Sequence, residues 1–110
     1  MKSYTDLEQS KKLSEFLSPE SADMIWTYDF TINDINGINV KTNTFKPEEN
    51  DILAWSLAAL LDAMPPIQEL CSSTDHYYRV FCMNLFSEWH ENAVDACVEM
   101  MVTLKEKGLL

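Results

Sequence analysis

The sequence predicts an α+β domain. Three observations carry that reading: two stretches alternate apolar and polar residues with period two around turn signals, three others place apolar residues at helical spacing behind capping residues, and no segment repeats at a fixed period. The expected order is helix, β-hairpin, buried helix, second β-hairpin with room for one further strand ahead of it, and C-terminal helix. With no linker in view, residues 1–110 form a single domain.

Thr5 and Glu8 fit a capping box, and Leu7, Leu13, Phe16 and Leu17 then recur at near-helical spacing, which predicts a helix over 6–17. Pro19 disfavours helical geometry at Ser18 and opens a short turn. Over 24–32 the period is two, with Trp26, Tyr28, Phe30 and Ile32 on one face of a half-buried strand. Ile38, Val40, Thr42 and Thr44 continue such a face. A three-residue loop, Ile35-Asn36-Gly37 with Gly37 left-handed, pairs Ile32 with Val40 and Tyr28 with Thr44.

The acidic run over 47–51 has the character of a helix start, and 52–64 is apolar on nearly every side. A largely buried helix follows, with Ser56, Ala59 and Ala63 as a stripe of small residues and Pro65-Pro66 as its stop. Residues 67–71 fit a short strand and 72–75 a turn. A tight Met83-Asn84 loop joins strands over 77–82 and 85–89. It sets Phe81 opposite Phe86, Arg79 opposite Glu88, Tyr78 opposite Trp89 and Tyr77 opposite His90. Asn92 and Asp95 then cap a helix whose Val94, Cys97, Val98, Met101 and Leu104 share one face. Lys105 and Lys107 suit its last turn, Gly108 its left-handed terminator, and Leu109 the apolar contact behind it.

Hydrophobic residues make up 46% of the chain and glycine occurs twice, which excludes disordered and collagen-like classes. Eight Lys and Arg against 18 Asp and Glu leave a net charge of −10, which opposes direct contact with nucleic acid or anionic lipid. The start lacks the apolar core of a secretory signal, and no apolar run reaches the roughly 20 residues of a membrane span, so a cytoplasmic protein is expected. Cys71, Cys82 and Cys97 share no close pair and read as reduced thiols, mostly in the core.

Chemistry is sparse. G-x-S-x-G, phosphate-loop and G-x-G-x-x-G patterns are all absent from the sequence, and no cofactor is implied. His76, His90 and Glu91 gather at the open end of the second hairpin, near Asp75 and Cys71. Their spacing matches no common zinc pattern, so surface histidines are preferred to a metal or acid–base site. Cys71 beside His76 lacks the third group and oxyanion donors of a nucleophilic site. Among the many aromatics, Trp26, Tyr28, Tyr77 and Trp89 are the candidate partner surface. A base-stacking platform would need a cationic path, and the sole arginine, Arg79, is expected to be engaged by Glu88.

The stretches Ala54-Trp55-Ser56-Leu57-Ala58-Ala59-Leu60-Leu61-Asp62-Ala63-Met64-Pro65 and Glu88-Trp89-His90-Glu91-Asn92-Ala93-Val94-Asp95-Ala96-Cys97-Val98-Glu99-Met100 resemble small uncharacterised proteins encoded by mobile elements and phages of gut bacteria. The likeness runs over much of the chain from Glu8 onward, and a proline frequent in that group stands as Ala93 here. The resemblance implies an accessory protein acting inside a bacterium and assigns no catalytic residues. Together these readings favour a non-enzymatic interaction protein with a protein partner, a second copy of itself included. The alternative is an acidic DNA mimic that inhibits a basic nuclease or repressor. A small-molecule binder or enzyme using the His76/His90 end ranks last.

Overall fold

Asp6, rather than Thr5, opens the first helix in the computed structural model, which describes residues 2–41, 51–66 and 68–110. Helix α1 spans Leu7–Ser14. The Asp6 carboxylate accepts from Gln9 N at 2.8 Å while the Gln9 side chain accepts from Asp6 N at 3.1 Å, a reciprocal box. Thr5 does not cap because it is buried. Its hydroxyl shares a 2.8 Å hydrogen bond with Ser10 and accepts from Trp55 N at 3.1 Å. Residues 15–17 form a turn in place of the last helical turn expected, and Pro19–Ser21 is a 3-10 turn, as the proline predicts.

The first sheet has the order β2-β1-β3, all antiparallel, from β1 (Met24–Asp29), β2 (Asp34–Val40) and β3 (Ile52–Ala54). β1 stops short of Ile32 because the Asp29 carboxylate accepts from Thr31 N at 2.8 Å and turns the chain. The hairpin loop therefore lies at 30–33, with Asn33 left-handed at φ 56°, rather than at Ile35-Asn36-Gly37. Val40 faces Met24 instead of Ile32. Trp26 faces Ile38, and an irregularity after Thr27 sets Tyr28 opposite Ile35 instead of Thr44. The expected apolar face is also corrected: Phe30 and Ile32 are exposed, while the fully buried residue of β1 is Ile25, on the opposite face. Thr42, Thr44 and residues 47–50 of the acidic helix start expected over 47–51 lie outside the described residues, and Asp51 is not helical.

Residues 52–54 form strand, not helix, since Ile52, Leu53 and Ala54 pair with Trp26, Ile25 and Met24. Helix α2 (Leu57–Ala63) begins only after Ser56, whose hydroxyl accepts from Ala59 N at 3.2 Å. The Asp23 carboxylate fixes that junction, accepting from Ser56 N at 2.8 Å and from the Ser56 hydroxyl. Ser56 is thus a cap and not part of a packing stripe. The helix ends before Pro65-Pro66, as expected.

The second sheet has the order β4-β5-β6, from β4 (Gln68–Ser72), β5 (Tyr78–Cys82) and β6 (Leu85–Phe86). Phe81 pairs with Phe86 and Cys82 with Leu85 around a Met83-Asn84 turn in which both residues are left-handed. Beyond Ser87 the expected register fails. The buried Ser87 hydroxyl accepts from Val80 N at 2.9 Å, and Tyr78 pairs with His90, so Arg79 is not opposite Glu88 nor Tyr78 opposite Trp89 nor Tyr77 opposite His90.

Helix α3 (Ala93–Glu106) is capped by Asn92, which accepts from Asp95 N at 2.8 Å. It ends in a Schellman motif: Gly108 has φ 71°, Leu109 N donates to Leu104 O at 2.8 Å, and Gly108 N donates to Lys105 O at 3.1 Å. Val94, Cys97, Val98, Met101 and Leu104 are buried together, as their spacing predicts. They share a core with Leu13, Trp55, Leu60, Val80 and Cys82, so α3 covers the inner face of β5. No helix among the described residues is long and apolar enough to cross a membrane.

Candidate partner surface

Strand geometry decides what faces outward from the second sheet. Val80 and Cys82 are fully buried, so by alternation Arg79 and Phe81 project from the other side, as do their cross-strand partners Cys71, Glu69 and Phe86. Phe81 and Phe86 lie with ring centroids 4.7 Å apart. The Arg79 guanidinium sits 4.2 Å from the Phe86 centroid and 4.6 Å from that of Trp89. Phe86 is 55% exposed and Trp89 44% exposed, so this stack is open to solvent.

Arg79 has no acidic partner among the described residues. Among the described residues no carboxylate lies within ion-pair distance of it, and its Nε is buried without a hydrogen-bond partner. The expected Glu88 is held elsewhere, its backbone N donating to Glu99 Oε2 at 2.9 Å. The guanidinium is therefore stabilised by ring faces, an arrangement that leaves its charge available at the surface.

Of the four predicted aromatics, Trp26 and Tyr28 lie on β1 of the first sheet, and Tyr77 and Trp89 flank the strands of the second. Trp26 is half-buried, its indole donating to Thr5 O at 3.2 Å and its ring meeting Tyr4 edge-on at 5.8 Å. Tyr28 stacks edge-on with Phe30 at 5.0 Å and donates its hydroxyl to Asn33. Tyr77 and Trp89, by contrast, line one groove with Ser73 and Asp75, of about 440 Å³. Ser73 builds its wall, accepting from Tyr77 N at 3.1 Å and donating its backbone N to Tyr77 O at 2.8 Å. His76, left-handed at φ 64°, completes the turn.

The polar cluster separates in a similar way. His76 and Glu91 are exposed, whereas half-buried His90 places Nε2 2.8 Å from Glu99 Oε1 on α3. Sequence reasoning missed Glu99, and helical spacing alone gives no signal for it, because the contact depends on where the 87–92 segment crosses α3. Among the described residues no three His, Cys, Asp or Glu side chains are grouped so as to hold a metal ion. A second polar knot ties the chain start to α3: Asp95 Oδ1 accepts from Lys2 Nζ and from Gln9 Nε2, both at 2.7 Å, and Oδ2 accepts from Asn92 Nδ2 at 2.8 Å. Burial alone would raise the Asp95 pKa, but these hydrogen bonds and the Lys2 charge outweigh it and hold the carboxyl below its usual range.

Comparison with protein-family models, curated proteins and solved structures found no match to this chain.

Proposed function

We propose that this chain is a non-enzymatic interaction protein, in the role of an accessory protein of a mobile element, and that its docking surface is the outer face of the second sheet with Tyr77 and Trp89 at the rim. The observation that supports it is Arg79, stacked on two exposed rings and carrying no acidic partner among the described residues. An arginine serving stability alone would gain from a carboxylate, and the chain has 18 acidic residues to supply one. Arginine, tryptophan and tyrosine are also the residue types in which binding energy concentrates at protein interfaces. The DNA-mimic alternative draws less support, since α2 carries Asp62 as its one carboxylate and so offers no row at phosphate spacing.

The test is co-purification from the native cell at near-physiological salt, comparing the natural chain with Phe86→Ala, Trp89→Ala and a control, Val40→Ala, at the exposed end of β2. A stoichiometric companion lost with the first two and kept with the control supports the reading. A companion held equally by all three overturns it. Light scattering on the same samples reports whether the companion is a second copy.

A further inference from the structure

We infer that the groove lined by Ser73, Asp75, Tyr77 and Trp89 receives a basic side chain, lysine or arginine, presented by the protein partner; the inference rests on the docking surface proposed above. Two aromatic residues and an aspartate line this one concavity, and both aromatics remain substantially open, Tyr77 at 41% and Trp89 at 44% exposure. Aromatic faces attract cations through their quadrupole, and a neighbouring carboxylate adds a full charge. Asp75 is free to do so: among the described residues its carboxylate takes part in no hydrogen bond or ion pair, only its backbone N being bonded, to Ser73 Oγ at 3.3 Å.

Charge complementarity selects a cation over an anion. The molecule carries a net charge of −10, so its field draws basic groups in and repels acidic ones. Trp89 already packs against one guanidinium, that of Arg79 at 4.6 Å. Arg79 also sets the opposing term, because its own positive charge repels a second cation at the same ring. Asp75 and Arg79 therefore act in opposite senses on any ligand in the groove, and the two substitutions together distinguish a cation from a carboxylate.

The experiment follows the Trp89 indole N–H resonance by NMR, assigned with Trp89→Phe, during titration with N-acetyl-arginine amide and N-acetyl-lysine amide. Sodium acetate serves as the anionic probe and sodium chloride as the ionic-strength control. The expected result is a saturable, millimolar-range shift with the two cations alone. Asp75→Asn weakens it about 2- to 5-fold, and Arg79→Met strengthens it. The inference is overturned if neither cation gives a saturable shift, or if Asp75→Asn leaves the shift unchanged. It is also overturned if acetate is the probe that binds, or if the resonance moves with protein concentration alone, which would assign the groove to a second copy. None of these outcomes alters the dependence of the companion on Phe86 and Trp89, so failure here is distinct from failure of the docking surface.

Discussion

Arg79 lies over Trp89 and not beside Glu88, although the simplest hairpin register would pair it with the acid. A double-mutant cycle should therefore give an Arg79–Trp89 coupling of about 0.5–1 kcal/mol in urea denaturation. The Arg79–Glu88 cycle should give a coupling close to zero. The reverse order would mean that the guanidinium leaves the rings in solution.

Ser56 joins strand to helix by holding Asp23 on one side and capping α2 on the other. Ser56→Ala removes the cap and the hydroxyl bond to the half-buried Asp23, keeps the backbone N–H bond to it, and should cost about 1–2 kcal/mol. The neighbouring exposed position gives the contrast: Ala58→Ser should change the urea midpoint little.

Asp95 makes stability pH-dependent in a defined direction. Its folded-state pKa is depressed, so its contribution is complete above the unfolded value of about 3.9 and is lost as pH falls through the lower folded value. Asp95→Asn should flatten the acid limb of a stability–pH curve below about pH 4. Lys2 works at the other end. Burial tends to lower its pKa, but hydrogen bonds to Asp95 and Asp6 and their charges raise it overall, so its contribution is present below about pH 10.4 and is lost as pH rises beyond the folded value. Lys2→Met should remove that alkaline loss.

The cysteines differ in accessibility. Cys97 is fully buried, with its thiol pushed up to about 12 by desolvation, and burial also raises the thiol of Cys82, whereas Cys71 is half-buried on the outer face of the second sheet. Alkylation of the folded protein near pH 8 should stop at about one thiol, at Cys71, with the other two reacting only in denaturant. Equal reactivity of all three would contradict the packing of α3 on β5.

What was legible in the sequence was local. The third helix, its Asn92 cap and its Gly108 terminator follow from spacing and from residues whose conformational preferences act within one turn. The α+β class and the Met83-Asn84 turn were legible for the same reason. What failed depended on contacts distant in sequence. Thr5 resembles a cap until Trp55, fifty residues away, takes its hydroxyl, and the 52–64 run reads as one helix until Asp23 claims Ser56 and β1 pairs with 52–54. The candidate site shows the same division. Tyr77 and Trp89 were visible as surface aromatics, but the register slip at Ser87 that delivers Arg79 to Trp89 arises from a buried hydroxyl replacing a ladder contact.

The alternation along β5 separates two demands on one short segment. Val80 and Cys82 answer to α3 and the core, while Arg79 and Phe81 answer to the neighbouring rings of the outer face and to what lies outside the molecule. Substitutions at the two odd positions therefore cost the ring contacts of the outer face and leave the packing of α3 on β5 in place. A lineage could exchange one binding preference for another there by single steps, each intermediate remaining a folded protein.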